Sequence, residues 1–274
     1  MYTGLLTARF PREKDIREII IWAGENNFSA LEIASHHIDM EKIAREGAAE
    51  LRDLLEQYKL KVSSIAHYKP VFRPDVDTQQ YIAQMKTAFK AAQALGTDVV
   101  CTLAGFPYEG KSKEATIREE LPAIFMPLAE EAASMGIKIA FENWFATNLQ
   151  GVHHFRALIE SLPAANIGFN FDPSHFYWQG IDYIAAIYEF GERIFHTHAK
   201  DCAVREDLRR VLGVLERGWW RYVIPGFGDL AWGRIIGALR EVKFDGVLSI
   251  EHEDRAFDAE TGFNCGRRYL QSLL

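Results

Sequence analysis

The chain has 274 residues, of which 48% are apolar and 25% are charged, which is ordinary for a globular protein and long enough for one large α/β domain. Its net charge is −7 and it contains no long basic run, so a nucleic-acid-binding surface is not expected. No apolar segment reaches about 18 residues, and Arg9, Arg12 and Glu13 lie where a signal peptide would be apolar, so we expect a cytoplasmic protein that does not enter a membrane.

Strand-like and helix-like segments alternate along the chain. Apolar periodicity predicts strands at 2–10, 30–34, 61–67, 98–103, 138–143, 167–172, 193–199 and 246–251. Helices are predicted at 13–25, 40–58, 75–95, 113–135, 151–161, 183–190, 232–242 and 261–274. Pro122 and Pro127 are expected to kink or break the fourth of these helices. The longest irregular stretch, 201–229, follows the seventh strand and is expected to be functional.

Eight strand–helix units predict the fold class α/β, as a single (β/α)8 TIM barrel. The alternation implies right-handed crossovers and a parallel sheet, and eight units in about 250 residues match the size of a closed barrel. An open doubly wound sheet is the alternative, but it would carry a GxGxxG motif after the first strand, and none is there. No linker or repeat indicates a second domain, so we expect residues 1–274 to form one barrel domain.

Metal-type ligands follow four of the predicted strands at the same end. Pro173 cannot donate a backbone hydrogen bond, so the sixth strand must stop near Asp172. Equivalent positions on strands five to eight are filled by Glu142, Asp172, His198 and Glu251. Because neighbouring strands of a barrel end at one rim, these side chains are predicted to converge on one divalent ion. Oxygen and imidazole ligands without a thiolate suit Mn²⁺, Mg²⁺, Co²⁺ or Zn²⁺.

Two histidines of the seventh strand compete for the imidazole position. His196 and His198 are two residues apart, so their side chains point to the same face of the strand. We favour His198 as the ligand because it lies nearer the strand end, and we interpret His196 as a supporting or packing residue. The three clustered carboxylates would repel one another without a cation, and a divalent ion removes that repulsion.

Five motifs give the chain a family resemblance, most clearly between residues 138 and 255. They are Phe141-Glu142-Asn143, Asp172-Pro173-Ser174-His175, His196-Thr197-His198-Ala199-Lys200-Asp201, Ile224-Pro225-Gly226-Phe227-Gly228-Asp229 and Ser249-Ile250-Glu251-His252-Glu253. With these motifs the chain resembles the xylose-isomerase-like barrel superfamily. That superfamily includes sugar epimerases, sugar-phosphate isomerases, inosose dehydratases and type-IV apurinic endonucleases.

The resemblance implies a metal-dependent enzyme acting on a carbohydrate. The four residues that match the metal ligands of the family are Glu142, Asp172, His198 and Glu251. In such enzymes the metal grips two adjacent oxygens of a hydroxy-ketone and stabilises an enediolate. The resemblance makes Glu142 and Glu251 the catalytic base and acid, facing each other across the reacting carbon.

Five further residues are predicted to contact the substrate: His175, His67, Lys200, Arg221 and Glu32. The resemblance implies a substrate contact for His175, and it lets Lys200 stabilise an oxyanion or expel a hydroxyl. Sugar epimerases carry an arginine six residues beyond the metal histidine. This chain has Val204 there, so Arg205 or Arg221 would have to replace it. Glu32 and His67, on strands two and three, would complete the bowl opposite the metal.

Three functions therefore stay open. The first is a divalent-metal-dependent isomerase or epimerase of a sugar, sugar phosphate or cyclic polyol, and the second is a metal-dependent dehydratase of a keto-inositol or dehydroshikimate-type substrate. The third is a barrel that binds a sugar without catalysis. An endonuclease would need three zinc ions and more histidines, and residues 102–105 offer none. We expect a small-molecule carbohydrate as the partner, no nucleic acid, no membrane, and a homo-oligomer, either a dimer or a tetramer.

Overall fold

The fold is given by a computed structural model that describes residues 1–73 and 75–274. Its strands are β1 (Tyr2–Leu6), β2 (Ala30–Ala34), β3 (Lys61–Ala66), β4 (Val99–Leu103), β5 (Lys138–Glu142), β6 (Ile167–Phe171), β7 (Ile194–Ala199), β8 (Asp201–Val204), β9 (Trp220–Val223) and β10 (Val247–Ile250). Around the ring, β1 to β7 follow in order and β10 closes between β7 and β1, every pair being parallel. The predicted (β/α)8 TIM barrel is thereby confirmed, while β8 and β9 form a separate antiparallel hairpin.

Helices surround this barrel. They are α1 (Ile16–Glu25), α2 (Met40–Glu46), α3 (Ala49–Gln57), α4 (Thr78–Leu95), α5 (Lys113–Glu119), α6 (Leu121–Ser134), α7 (Val152–Ser161), α8 (Pro173–Tyr177), α9 (Tyr183–Phe190), α10 (Glu206–Leu212), α11 (Trp232–Glu241) and α12 (Ala259–Gln271). Across residues 1–73 and 75–274, no helix is both long enough and apolar enough to traverse a lipid bilayer.

Two predicted helices are each divided in two. The segment predicted as 40–58 breaks at Gly47, which ends α2 with a φ of 83°, a conformation that glycine adopts without steric cost. The segment predicted as 113–135 breaks at Glu120, just before Pro122, which occupies the first turn of α6. A proline is tolerated in a first turn, where no helical hydrogen bond is lost, so the predicted break at this proline is confirmed.

The outer faces of the strands pack against the helices through buried aromatic side chains. Phe169 of β6 stacks on Phe155 of α7 with ring centroids 3.9 Å apart, and Phe141 of β5 meets Phe125 of α6 edge-on at 4.7 Å. All four rings are fully buried, and burying a side chain of this size contributes about 1.5–3 kcal/mol. This outer layer holds the strands in the register that brings their ends together.

Large branched side chains usually fill the inside of this fold. Here the inside of the barrel is instead lined by polar and small side chains. His196 of β7 reaches across to Ser63 of β3, and His198 of β7 reaches Glu32 of β2, although these strands are not neighbours. Gly168 on β6 allows the chain just before β7 to approach closely, because an added Cβ would lie 2.2 Å from the carbonyl oxygen of Arg193. The barrel centre is therefore built to support polar groups.

The stretch predicted as an irregular loop at 201–229 contains the β8–β9 hairpin and α10. Its anchor is the buried carboxylate of Asp201, which accepts hydrogen bonds from the backbone N–H of Cys202, Gly226 and Leu230 at 2.8, 3.0 and 3.1 Å. The indole Nε1 of Trp232 donates a fourth at 3.0 Å. Anchored in this way, the hairpin lies over the rim where the barrel strands end.

Candidate active site

Four acid and imidazole groups meet at the carboxyl-terminal rim of the barrel. They are Glu142 at the end of β5, Asp172 just after β6, His198 near the end of β7 and Glu251 just after β10, and one ligand atom of each lies within 4.8 Å of the others. His198 Nδ1 is 3.2 Å from Glu142 Oε1, 3.1 Å from Glu251 Oε2 and 3.9 Å from Asp172 Oδ2. The structure therefore brings together all four residues that the sequence placed at one point.

Asp172 is held in place by its neighbours in the chain and on the next strand. The side chain of Asn143 accepts from Asp172 N and donates to Asp172 O, both at 2.8 Å, and Ser174 N donates to Asp172 Oδ1 at 2.8 Å. Pro173 ends the strand and begins the short helix α8, which sequence periodicity did not reveal. The other oxygen, Asp172 Oδ2, faces the cluster and accepts no well-aligned hydrogen bond, although the Lys200 ammonium lies 3.0 Å away.

These four residues fit a divalent ion. Bonds of about 2.0–2.2 Å from zinc to oxygen or nitrogen place two ligands of one ion at most about 4.4 Å apart. His198 Nδ1 lies 3.2, 3.1 and 3.9 Å from the nearest oxygens of Glu142, Glu251 and Asp172, which are all below that limit. The donor set of three carboxylates and one imidazole suits Zn²⁺, Mn²⁺ and similar ions, and Asp172 Oδ2 is a buried acceptor without an aligned donor.

The cluster is strongly charged. Burial alone would raise the pKa of Glu251, but the positive charges of Lys200 and His198 outweigh it and lower that pKa to about 2. Burial also opposes ionisation of Glu142, and again His198 outweighs it, so the Glu142 pKa lies well below its ordinary value. Burial would lower the pKa of His198, yet the carboxylates around it, with Glu32 foremost, raise it well above 6.5. Both glutamates are therefore ionised and able to accept protons at neutral pH.

Lys200 and His175, two of the predicted substrate contacts, lie directly beside the cluster. Lys200 is 1% exposed, and its Nζ lies 2.5 Å from Glu251 Oε2 and 3.1 Å from His175 Nε2. His175 Nε2 is also 3.5 Å from Glu142 Oε1. Despite burial, the surrounding carboxylates, Asp172 foremost, raise the pKa of Lys200 well above its ordinary value, so its amine is charged.

Glu32, a predicted substrate contact, lies outside the rim cluster. Its side chain is fully buried beneath His198, on the opposite side of the imidazole from the cluster. One oxygen accepts from the Tyr68 hydroxyl at 2.5 Å and the other from the Ser249 hydroxyl at 2.7 Å. The contacts that the structure gives Glu32 are therefore with His198 and these two hydroxyls, and its substrate contact stays a prediction.

His67 also lies outside the rim cluster. Its ring lies on the helix side of the barrel wall, where Nδ1 is 3.3 Å from Ser35 Oγ and the ring centroid is 6.1 Å from that of Tyr81 on α4. The next residue, Tyr68, points inward and contacts His198 instead. Of the two residues that follow β3, Tyr68 is therefore the one that contacts the cluster, and the substrate contact of His67 stays a prediction.

Arg221 is the third predicted substrate contact that lies elsewhere. It is largely exposed and pairs with the buried carboxylate of Asp254 at 2.9 Å. Trp220 and Tyr222, which flank it on β9, present their rings on the opposite face towards Lys200 and His175. The aromatic residues of this strand, and not its arginine, therefore line the site.

An aromatic wall flanks the charged cluster, formed by Phe145, Trp178, Trp220 and Tyr222. Trp178 and Trp220 are stacked with ring centroids 4.5 Å apart, and Phe145 meets Trp178 edge-on at 5.0 Å. The Tyr222 hydroxyl lies 2.5 Å from His175 Nδ1 and accepts from Trp178 Nε1 at 3.2 Å. The wall thus ties the hairpin to the histidine beside the cluster.

A second group, Glu32, Cys101 and His196, lies deeper in the barrel, with potential ligand atoms within 4.8 Å of one another. Burial raises the pKa of the Cys101 thiol well above its ordinary value, so no thiolate is available. His196 already uses both nitrogens, with Asn170 Oδ1 at 2.9 Å and Ser63 Oγ at 3.1 Å. These contacts agree with the supporting role that we predicted for His196.

Three residues that the sequence did not single out, Tyr68, Asn170 and Ser249, contact His198 or Glu32 from below. The Asn170 amide nitrogen donates to the Tyr68 hydroxyl at 2.8 Å. The sequence does contain a pattern that indicates two of them. Asn170 and Ser249 each precede a cluster residue by two positions, so they share its face of the strand.

Comparison with known proteins agrees with this geometry. The family model described as a xylose isomerase-like TIM barrel matches residues 20–273. YfiH of Bacillus subtilis (strain 168) is 34% identical over 160 residues, 54% of this chain, and the inosose dehydratase of Clostridium tetani is 24% identical over 153 residues, 53% of this chain. In both cases the match spans 50% of the relative's length.

Solved structures show the same fold across nearly the whole chain. The probable 3-DHS dehydratase AsbF of Bacillus anthracis superposes with a TM-score of 0.80 at 19% identity, covering 99% of both chains. The IolI protein with a binding zinc atom gives 0.78 at 17%, and a D-allulose 3-epimerase from Methylomonas sp. gives 0.77 at 17%, each covering 100% of this chain and 98% of the other.

Three observations indicate the same family. They are the closed eight-stranded ring, the acid and histidine residues at its rim, and a family match over 254 of 274 positions (20 to 273). The chain belongs to the xylose isomerase-like TIM barrel family.

Proposed function

We propose that this chain is a divalent-metal-dependent isomerase or epimerase of a hydroxy-ketone carbohydrate, which is a sugar, a sugar phosphate or a cyclic polyol. The observation that carries the proposal is the placement of two ionised glutamates around one imidazole. Glu142 Oε1 and Glu251 Oε2 lie 3.2 and 3.1 Å from His198 Nδ1. Two carboxylates at one centre provide a base and an acid for moving a proton at carbon.

Each residue then has a defined task. A divalent ion bound by the four rim residues would polarise a ketone and the neighbouring hydroxyl, which lowers the pKa of the C–H bond between them. One of the two ionised glutamates removes that proton and becomes a carboxylic acid. The proton returned to carbon comes either from this acid or from the other glutamate after it has taken a proton from solvent. Return on the opposite face inverts the centre, whereas transfer to the adjacent carbon interconverts ketose and aldose. Lys200 stabilises the developing oxyanion with its charged amine.

The aromatic wall supports a carbohydrate as the substrate class. Sugars and cyclic polyols present apolar C–H faces that pack against aromatic rings, together with hydroxyls that require hydrogen-bond partners. Trp220 and Phe145 supply half-buried rings at the rim, and Tyr222 and His175 supply polar atoms next to them. An ordinary ligand site combines a mostly apolar lining with a few placed polar groups in this way.

Solvent-hydrogen exchange tests the proposal whichever product the enzyme forms. The protein is stripped with a chelator, reloaded with Mn²⁺ or Co²⁺ and incubated in D₂O with a panel of keto-sugars, their phosphates and keto-inositols. We expect deuterium at the carbon next to the ketone of at least one compound, only in the metal-loaded protein and not in the Glu142→Gln variant. Full activity of the stripped protein, or no exchange with any member of the panel, would contradict the proposal.

A dehydratase is the second candidate, and the position of Lys200 favours it. Its buried ammonium contacts Glu251 at 2.5 Å, where it can donate a proton to a hydroxyl that leaves the carbon next to the enediolate. The inosose dehydratase among the curated relatives is consistent with this chemistry. Absorbance of an α,β-unsaturated ketone, appearing with keto-inositols or dehydroshikimate-type compounds, would distinguish elimination from isomerisation.

A further inference from the structure

Glu32 is the carboxylate that the proposed reaction does not use. It lies at the centre of the barrel with 0% exposure, and both of its oxygens face the far nitrogen of His198: Oε1 and Oε2 are 3.3 and 3.1 Å from Nε2. The other ring nitrogen, Nδ1, faces Glu142 and Glu251. The imidazole is therefore held between two acidic environments, one above the rim and one below it.

A carboxylate buried this deeply requires partners, because an ion left unpaired in a protein interior is strongly destabilising. No lysine or arginine forms an ion pair with Glu32 in the described part of the chain, and its partners are His198, His196, Tyr68 and Ser249. The two hydroxyls each donate to a different oxygen, which fixes the orientation of the carboxylate plane towards the imidazole.

This arrangement selects the tautomer of His198. If Nε2 carried a lone pair, that lone pair would face two carboxylate oxygens at hydrogen-bond distance, which is repulsive. With the proton on Nε2, the same contact becomes a charge-assisted hydrogen bond. The Tyr68 hydroxyl, 3.0 Å from Nε2, gives its proton to Glu32. The Asn170 amide nitrogen, also 3.0 Å from Nε2, donates to the Tyr68 hydroxyl at 2.8 Å, so the charged oxygens of Glu32 decide the position of the proton on Nε2. The lone pair of the metal-binding tautomer is then on Nδ1, which points at the rim cluster.

We propose that Glu32 is a positioning residue for metal binding, which holds His198 with Nε2–H towards the barrel centre and the Nδ1 lone pair towards the ion. This inference rests on the proposed function, because it assumes an ion at the rim. A histidine ligand oriented and made more basic by a carboxylate binds metal more tightly, and loss of such a partner costs about 10- to 100-fold in affinity.

The test uses the full chain and Co²⁺ as the probe. Affinity is measured by calorimetry, and the visible Co²⁺ spectrum reports the ligand field of the bound ion. We expect Glu32→Gln to bind Co²⁺ about 10- to 100-fold more weakly than the wild type, with a shifted spectrum. The matched control is Ser64→Ala, a buried change in the same barrel interior beside Cys101, which should leave affinity and spectrum unchanged.

A second measurement detects which nitrogen of His198 carries the proton. In the Zn²⁺-loaded wild type, long-range ¹H–¹⁵N correlation should show His198 protonated on Nε2, and Glu32→Gln should weaken or lose that signal. Equal Co²⁺ affinities, within about threefold, together with an unchanged spectrum would overturn the inference and leave Glu32 a packing residue.

Two further variants test the role of Glu32 if Glu32→Gln does not fold. Tyr68→Phe and Ser249→Ala each remove one hydrogen bond from Glu32, and each should weaken Co²⁺ binding, whereas unchanged binding in both would overturn the inference. A wild type that binds Co²⁺ but exchanges no substrate proton would contradict the proposed function alone. A wild type that does not bind Co²⁺ would overturn both.

Discussion

Glu142 and Glu251 approach the same imidazole nitrogen from two strands that are not neighbours in the barrel, β5 and β10. Oε1 of the first and Oε2 of the second lie 3.2 and 3.1 Å from His198 Nδ1. Glu251 has an additional contact, 2.5 Å to Lys200 Nζ, that Glu142 lacks. The two carboxylates are therefore not equivalent, and their roles can be separated by mutation.

Replacing either glutamate by glutamine should remove its proton-transfer step. A positioned acid or base contributes about 10²–10⁴-fold to rate, so we expect at least a hundredfold loss of deuterium exchange in Glu142→Gln and in Glu251→Gln. The control is Glu130→Gln, an exposed position on α6. Wild-type exchange rates in both rim variants would contradict the assigned roles.

Lys200→Met should separate isomerisation from elimination. Loss of the ammonium removes the donor for a leaving hydroxyl but leaves both carboxylates in place. If the enzyme is a dehydratase, formation of the unsaturated ketone should fall by at least about a hundredfold while α-proton exchange persists. Parallel losses in the two assays would show instead that Lys200 serves the enediolate step. Retention of both activities would contradict any catalytic role for this buried amine.

Tyr222→Phe should weaken turnover moderately, because it removes the hydroxyl that lies 2.5 Å from His175 Nδ1 while keeping the ring in the wall. One hydrogen bond is worth about 1 kcal/mol, which corresponds to about a fivefold loss in kcat/KM. Tyr188→Phe is the matched control, since its hydroxyl bonds Glu241 on the outer surface. Equal effects of the two changes would argue against a role for Tyr222 at the site.

His67 should make the protein sensitive to acid. Burial, assisted by the charge of Lys69, lowers the pKa of His67 to about 4 in the folded state, against about 6.5 when unfolded. As the pH falls from 6.5 to 4 the unfolded chain binds this proton first, so up to about 3 kcal/mol of folding free energy is lost in that window and is fully present above it.

His67→Gln removes this titration, so urea unfolding followed between pH 7 and pH 4 should give a shallower loss of stability than in the wild type. His196, whose pKa burial also lowers to about 4, continues to contribute in both proteins. Curves that decline in parallel would contradict a proton-linked role for His67.

Gly168→Ala should destabilise the barrel. An added Cβ would lie 2.2 Å from the carbonyl oxygen of Arg193, just before β7, and backbone atoms cannot move away as a side chain can. Overpacking of this kind costs about 1–3 kcal/mol or more. The matched control is Gly237→Ala on α11, where nothing lies within 4 Å of an added Cβ and the helix should gain about 1 kcal/mol. Thermal unfolding of both variants should therefore shift in opposite directions.

The sequence predicted the barrel and its rim because both follow from local patterns. Alternating apolar strands and amphipathic helices indicate the topology, and in a parallel barrel the topology alone brings the strand ends together. That is why Glu142, Asp172, His198 and Glu251 could be grouped before any side-chain conformation was considered.

The sequence does not indicate the positions of residues that lie next to the rim cluster along the chain or one layer below it in the barrel. His67 and Tyr68 both follow β3, and only the path of the chain after the strand decides that Tyr68 reaches the site. Glu32 lies one layer below the rim, beside His198, and the sequence does not indicate this depth because it depends on the stagger of the strands. The β8–β9 hairpin joins two four-residue strands across a long connection, and such non-local pairing leaves no periodic signal.

The most direct measurement is anomalous diffraction from crystals grown with Mn²⁺. We expect one strong peak per chain, with Glu142, Asp172, His198 Nδ1 and Glu251 as its protein ligands. Saturating Mn²⁺ without a peak between these four side chains, or a peak bound elsewhere with the four left apart, would contradict it.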